Sequence, residues 1–344
     1  MQTWQKFFCW KSKAKIFIPL IVCLNWEKVG LLEKDFDLIS VGNVSIDTIK
    51  IQGNGGKHVV PGGSAAAVLT AASAFNLRTG LVSKVGEDFP DEWLLDLAER
   101  GIDIRGVKRQ KASCRFELVY DENGALKNFD EIFNCEYDLN VKDIPEEYLS
   151  SRHFHISAAH PSNQSKFIKA IGEINHGSTV SLTLWPSYEK EYGETFVNLL
   201  DKVDILFCNN FEAKILAKDD NIYDAVKKVK KFGPKIIVLT KGAKGSAIYY
   251  KNDFFLFPAL KANIVDRTGC GDSFAGGFLA NYLIGSDIEK AGWAGTALAS
   301  FTISKYGSWL PKEASNGKVL ERIERARNYY EKGLKQKVSL MEFF

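Results

Sequence analysis

The chain has 344 residues, enough for one large α/β domain or two smaller ones with an ample core. Its 45 Lys and Arg against 42 Asp and Glu leave a formal net charge of +3, too small at this length for a nucleic-acid footprint. Six cysteines are scattered without a C-x-x-C pair, which argues against a zinc site and a disulfide framework and points to a reducing, cytoplasmic setting.

In residues 1–34, Lys11, Lys13 and Lys15 precede an apolar stretch from Ile16 to Leu24, but no small-residue cleavage pattern follows. This reads as a loosely attached extension or an upstream start rather than a signal or tether. No apolar run of about 18 residues occurs, and no internal repeat is visible.

Phe36 to Val41 is a short apolar run closed by Gly42 and reads as a buried first strand. It delivers Asn43 and Asp47 to its carboxyl end, where open parallel sheets bind ligands, although an Asp there also suits an ordinary turn. Thr48 to Ile51 and Lys57 to Val60 flank Gly53-Asn54-Gly55-Gly56, a hairpin signal. Arg115 to Tyr120 and Ala125 to Phe129 flank Asp121-Glu122-Asn123-Gly124, a second one. Between them Pro61-Gly62-Gly63-Ser64-Ala65-Ala66-Ala67-Val68 opens an Ala-rich helix that Ser64 is placed to cap. Thr79 to Val85 reads as a strand leading into Gly86-Glu87-Asp88. The next helix has Pro90 just inside its start and Gly101 just past its end, with Trp93, Leu94, Leu97 and Ala98 as core.

From His153 strand and helix alternate: His153 to Ser157, a helix from about Gln164, Thr179 to Leu184, a helix from about Glu191, and Val203 to Cys208. Such alternation implies parallel strands with helices on both faces. His153, His155 and His160 follow no metal spacing rule and read as packing or substrate-side polar residues. Asn209 and Glu212, three apart at a helix start, project to one side and equally fit a capping box. Lys235 to Leu239 is another strand, closed by Thr240-Lys241-Gly242-Ala243-Lys244-Gly245, a Gly-rich turn that is not a Walker loop. Ser246 to Tyr250 and Phe254 to Phe257 form an edge hairpin.

Asn263 to Val265 reads as the end of an extended segment, and Phe274, Phe278, Leu279 and Tyr282 recur near helical spacing. Asp266-Arg267-Thr268-Gly269-Cys270-Gly271-Asp272 therefore sits where a loop enters a helix. Gly269 and Gly271, flanking Cys270, let the backbone turn tightly and aim N–H groups at one point, to which the helix adds its positive end. A developing phosphoryl group suits that field. Asp272 at the same turn is either an ordinary helix-start acid or a general base for a hydroxyl attacking a phosphorus held there. Gly276 and Gly277 inside the helix cost about 1 kcal/mol each relative to Ala, which signals close packing against a ligand or another backbone. Ala291 to Lys305 is small-residue rich, with room beside Ala294, Gly295, Ala297, Ala299 and Ser300. Lys318 to Leu334 reads as a charged amphipathic terminal helix.

The run Asp266 to Asp272 resembles the C-terminal signature of the ribokinase-like (pfkB) sugar-kinase family, D-T-x-G-A-G-D, with Arg at the second place and Cys for Ala. Gly62-Gly63 resembles that family's G-G-x-x-x-N with Ala67 at the Asn place, and Gly86-Glu87-Asp88 its G-x-D. Asn209 to Glu212 is similar to its N-x-x-E, and Thr240 to Gly245 to its T-x-G-x-x-G. Thr183 stands where a V-S-L-D strand carries Asp. The resemblance covers about Asp35 to Leu334. It implies a three-layer α/β/α fold with a mostly parallel central sheet and a small β-sheet lid from about residues 48–60 and 112–136. The kinase domain would span residues 35–334, followed by a tail of residues 335–344.

The same resemblance implies transfer of the γ-phosphoryl group of ATP to a hydroxyl of a small sugar or sugar derivative. Asp272 would be the base and the amides of Gly269, Cys270 and Gly271 the anion hole. Asp47, Asn43, Gly62 and Gly63 would hold the acceptor under a lid that excludes water. Thr240, Gly242, Gly245, Asn209 and Thr268 would line the nucleotide, and Ala291 to Lys305 would wall the adenine. Glu212 would place Mg2+ largely through water, and Asp266 admits a monovalent cation such as K+. Two alternatives stay open. One is a nucleoside acceptor, with Phe129, Phe133 or Trp185 against the base; the other is a nucleotide-binding regulator without turnover, motivated by Ala67 and Thr183. The expected partners are small molecules, without nucleic acid or membrane, and a second copy paired through lid edges.

Overall fold

The computed structural model describes residues 36–53, 56–121, 126–133, 139–185 and 193–333. The expected leader, the tail and the tips of both lid hairpin turns lie outside those residues. In chain order the first elements are β1 (Leu38–Val41), β2 (Ser45–Ile51), β3 (Lys57–Gly62), α1 (Ser64–Ala72), β4 (Thr79–Gly86) and α2 (Asp91–Glu99). There follow β5 (Ile102–Asp103), β6 (Val107–Gln110), β7 (Cys114–Tyr120), β8 (Leu126–Phe133), β9 (His153–Ile156) and α3 (Pro161–Ile174). Next come β10 (Thr179–Thr183), α4 (Glu194–Val197), β11 (Ile205–Asn209), α5 (Asn210–Ala217), α6 (Ile222–Lys231) and β12 (Ile236–Thr240). The chain closes through β13 (Ser246–Tyr250), β14 (Asp253–Phe257), α7 (Cys270–Gly285), α8 (Ile288–Thr302) and α9 (Asn316–Gly333).

The large sheet runs β14-β13-β12-β11-β10-β9-β1-β4-β5, with β6 also paired to β4. Its strands are parallel from β12 to β5, and only the β12–β13–β14 edge is antiparallel. Both faces are covered, which the strand sequences require: in β11, Ile205 and Phe207 pack with α1, α7 and α8 residues, while Leu206 and Cys208 pack with α3, α5 and α6 residues. A strand's side chains alternate faces, so a strand buried twice must be apolar throughout. This is the three-layer α/β/α arrangement.

The second sheet runs β3-β2-β7-β8. The two expected hairpins, β2–β3 and β7–β8, are joined by parallel pairing of β2 with β7, from Ser45 opposite Cys114 to Ile51 opposite Tyr120. Ile49, Cys114, Phe116, Leu118 and Tyr120 form its own small core. Asp88 of the G-x-D turn anchors this sheet, accepting from the backbone N–H and the hydroxyl of Ser113, each at 2.8 Å.

Several expectations are corrected. Asp47 is not in a loop after β1 but inside β2 of the small sheet. The segment Asn263 to Val265 joins neither sheet, the amides of Val265 and Asp266 bonding the Ile303 carbonyl at the end of α8 (2.8 and 3.2 Å). The helix expected from about Glu191 is one turn, α4, followed by a 3₁₀ turn at Leu200–Lys202. Pro90 precedes α2 in an extended conformation instead of lying inside it, and Ala98 is exposed rather than core. The room expected beside α8 is filled by α7: a Cβ on Gly277 would lie 2.9 Å from the Ala294 carbonyl, and one on Gly295 2.8 Å from that of Phe274. Gly276 meets α1 instead, with the Val68 carbonyl 2.1 Å from where its Cβ would be. The two helix glycines thus serve backbone-to-backbone packing. Cys114 is disulfide-bonded, while Cys208 and Cys270 are free.

Candidate active site

The loop before α7 is held by one carboxylate. Asp266 is buried; its Oδ1 accepts from the Thr268 N–H (3.0 Å) and hydroxyl (2.7 Å), and its Oδ2 from the Gly307 N–H (2.9 Å). Three protein donors satisfy this buried carboxyl.

Gly269 ends the loop in the left-handed region, φ 72°, and α7 begins at Cys270. Its backbone packs so closely on Ser308 that a Cβ would lie 2.2 Å from the serine Cβ. Of the three amides expected in the anion hole, that of Cys270 bonds the Arg267 carbonyl at 3.3 Å. Those of Gly269 and Gly271 meet no protein acceptor among the described residues. A Cβ on Gly271 would meet nothing within 4 Å, so open space faces this turn. The nest is two free amides and the positive end of a 16-residue helix. Cys270 contributes no thiolate, since burial first, then Asp266 and Asp272, push its thiol up to about 12.

Asp272 lies in the first turn of α7 and does not cap it. Burial pushes its carboxyl up to about 6, opposed by a hydrogen bond from the Ser64 hydroxyl and by its own backbone N–H. Ser64 is the first residue of α1 rather than its cap. The N-cap is Gly63, and the Ser64 N–H is taken at 3.1 Å by Asn43 Oδ1. Asn43, expected on the substrate, thus spends its oxygen on the helix start. Gly63, at φ 94°, brings α1 against the β1–β2 turn: a Cβ there would lie 2.4 Å from the Asn43 carbonyl.

Asp47 completes an acidic group around this turn. It accepts from the Ser45 hydroxyl at 2.6 Å and is pushed up to about 7, by burial first and then, against that hydrogen bond, by Asp266 and Asp272. Gly62 is necessary beside it, since a Cβ would fall 1.9 Å from Asp47 Oδ2. The Gly62 carbonyl accepts from Trp309 Nε1 at 3.0 Å, which ties the glycine pair to the segment packed on Gly269. Ala67 is fully buried in the helix core. The Asn missing from the resemblance is therefore replaced by packing.

At the start of α5, Asn209 and Glu212 do form the capping box: Asn209 Oδ1 accepts from Phe211 and Glu212 amides, and Glu212 Oε2 from the Asn209 N–H at 2.8 Å. Glu212 is buried and pushed up to about 7, by burial first and, against the Asn209 hydrogen bond, by Asp272. The neighbouring Asn210 Oδ1 is buried without a partner. A buried carboxyl and an unsatisfied amide oxygen are the donor set a hard cation takes, so these residues fit magnesium as well as a cap. Thr240 ends β12, Gly242 opens a 3₁₀ turn at φ 57°, and Gly245, at φ 94°, leaves only 2.0 Å between its would-be Cβ and the Phe257 carbonyl. Among the described residues no group of three or more His, Cys, Asp and Glu gathers as a metal cluster. His153 and His155 share Ser181 inside the sheet and are pushed down by burial to about 4 and 3, so they are neutral packing residues.

The sequence did not single out the contact between small sheet and loop. Thr268 gives its proton to Asp266, so the 2.8 Å bond between Tyr120 and Thr268 hydroxyls is donated by Tyr120. Burial, the largest cause, holds that phenol at about 12 and keeps it a donor. The His58 ring stacks on Tyr306 with centroids 3.7 Å apart. Tyr120→Phe is expected to raise KM for the acceptor about fivefold, the worth of one neutral hydrogen bond, with kcat nearly unchanged. Steady-state kinetics at fixed ATP check this; an unchanged KM removes Tyr120 from a role in closure.

The family profile described as "pfkB family carbohydrate kinase" matches residues 27–314. The chain belongs to the pfkB family of carbohydrate kinases. This pfkB kinase is 36% identical over 280 residues to the cytidine kinase of Thermococcus kodakarensis, covering 79% of this chain and 98% of that one. It is 27% identical over 256 residues to an ATP-dependent ribose-1-phosphate kinase of Halopiger xanaduensis, covering 72% and 81%. Its fold matches a putative ribokinase II of E. coli, solved with ATP and Mg2+, at TM-score 0.72 and 22% identity, over 84% of this chain and 99% of that one. Among the described residues no helix is long and apolar enough to cross a membrane.

Proposed function

We propose that the kinase domain, residues 35–334, transfers the γ-phosphoryl group of ATP to a hydroxyl on a sugar ring, with Asp272 as general base. The observation that carries this is a raised carboxyl, Asp272, beside the unpartnered amides of Gly269 and Gly271 at a helix start. Asp272 accepts the proton of the acceptor hydroxyl, whose oxygen bonds to the γ-phosphorus as the bond to the β,γ-bridging oxygen breaks, leaving ADP. The two amides and the α7 dipole stabilise the charge on the transferring group. Asp47, beside Gly62 and Gly63, holds other hydroxyls of the acceptor; Thr240, Gly242, Gly245, Asn209 and Thr268 line the nucleotide. Magnesium, held by Glu212 with Asn210, would neutralise phosphate charge.

A second reading narrows the acceptor to a nucleoside. Phe129 of β8 stacks on Phe116 and lies beside Trp185, each pair at 5.5 Å between centroids, and both Phe129 and Trp185 are partly exposed. Such a surface takes a flat base, and the 36% likeness to a cytidine kinase supports it. The test is ADP release and product mass with the full chain across pyrimidine and purine nucleosides, pentoses and hexoses. Cytidine is expected among the best acceptors. Nucleotide binding without phosphorylation of any acceptor would instead establish a regulator that has lost turnover. Exposed Val59 and Leu126, on the edge strands β3 and β8, offer a surface for a second copy.

A further inference from the structure

The G-G-x-x-x-N comparison gives the residue after the glycines no role, yet here that residue reaches across the fold. Ser64 is buried at the first position of α1, and its hydroxyl donates to Oδ1 of Asp272, 208 positions away in the chain. The same oxygen accepts from the backbone N–H of Ala158, just after β9, at 3.4 Å. With an N–H donating into it, the Ser64 oxygen has its proton left for the carboxylate. Three layers of constraint hold it there: Asn43 Oδ1 on its own amide, the close approach of Gly63 to the Asn43 carbonyl, and Trp309 on the Gly62 carbonyl.

We propose that Ser64 is a positioning residue for Asp272: its hydroxyl, oriented by the Ala158 amide, fixes the rotamer of the carboxylate and keeps it ionised until the acceptor hydroxyl arrives. The inference rests on Asp272 being the base. A buried carboxylate without this donor would protonate more readily and would be free to turn from the nest. Beyond its own backbone N–H and the positive end of α7, the remaining environment works against the charge. Asp47 of β2, Glu212 of α5 and Cys270 of α7 interact with Asp272 electrostatically, and when ionised all of them oppose its charge. Asp266 acts on Asp47 in the same upward direction. Neither α1 nor Ser157-Ala158-Ala159 carries a titratable side chain. Asp47 and Glu212 titrate in the same region as Asp272, so the effect of Ser64 is read as a difference between variants at a single assigned carboxyl.

The experiment is a carbon-13 NMR titration of the Asp272 carboxyl in the full chain, assigned by the signal missing from Asp272→Asn. It is paired with kcat/KM for ATP and cytidine between pH 5 and 9. Ser64→Ala is expected to raise the Asp272 midpoint by about one unit, as loss of a hydrogen bond to a charged group requires, and Ser64→Thr to restore it. The kinetic loss should be about fivefold at pH 6, approach tenfold at pH 5 and shrink above pH 8, a profile that a merely structural role would not give. Should Ser64→Ala fail to fold, Ser64→Cys, a weak donor of similar size, must show the same upward shift. An unmoved midpoint in the folded variant overturns the inference. Turnover surviving in Asp272→Asn would overturn the base assignment instead, and the titration would still decide what Ser64 does to the carboxyl.

Discussion

Asp272→Asn is expected to reduce kcat by three orders of magnitude or so, within the range for loss of a positioned general base, and to make the protein melt at a higher temperature at pH 8. The two effects come from one cause. Burial holds the Asp272 carboxyl at about 6, above its ordinary 3.8. A folded state that binds a proton more tightly than the unfolded chain gains stability from that group at low pH, fully below pH 3.8, and loses it as pH rises through 6. At pH 8 the parent therefore folds with a charge it would sooner leave in water, and Asn, of the same shape and still able to accept from Ser64, removes that charge. The melting gap should be a few degrees at pH 8 and close as pH falls through the midpoint. Differential scanning calorimetry at both ends of that range, beside ADP release, checks the pair. Lower activity without the pH-dependent gain would mean that Asp272 is not buried as a carboxylate, and retained activity that it is not the base.

The strain between stability and activity at this turn explains which parts of the site were readable in sequence. Gly62-Gly63, Gly269 and Asp272 were visible because each is marked locally: glycines at a turn into a helix, an acid in the first turn of a helix. The alternating strands of the large sheet were visible too, since burial on both faces leaves Val, Ile and Leu runs such as Ile236-Ile237-Val238-Leu239. Other contacts depend on residues far apart in the chain. Ser64 looked like a helix cap because Ser usually is one; only the packing of α1 on α7 shows that its hydroxyl is used by Asp272. Tyr120 entered only as the last residue of a hairpin strand, and nothing around Thr268 announces that the two hydroxyls meet. Asp47 was read as a loop residue because the first strand and the small sheet follow each other with only Gly42, Asn43 and Val44 between them. Asn209 and Glu212 stay a shared pattern. Capping and cation binding both draw on the Glu212 carboxyl, and the buried, unpartnered Asn210 Oδ1 is what adds weight to the cation.

Gly269→Ala should damage both halves of the site together. The residue adopts φ 72°, where an L side chain is strained, and its new Cβ would stand 2.2 Å from Ser308 Cβ and 2.5 Å from Ser308 Cα. Strain of this kind with overpacking against backbone costs about 1–3 kcal/mol each, so a lowered urea midpoint is expected. Relief by moving Ser308 outward would pull on Trp309, whose Nε1 holds the Gly62 carbonyl, and so displace the glycine pair beside Asp47. Relief by turning the Gly269 peptide would redirect one of the two free amides; loss of one such donor reduces kcat by about 10²–10³-fold. Either route joins a stability loss to a turnover loss. Gly271→Ala separates them: nothing lies within 4 Å of its would-be Cβ, so the fold should keep its midpoint while the methyl intrudes on the space in front of the nest. Urea denaturation with single-turnover phosphoryl transfer on both variants distinguishes the cases. If folded Gly269→Ala and Gly271→Ala both transfer phosphate at the parent rate, charge does not develop at these amides, and the anion site must lie elsewhere along the α7 loop.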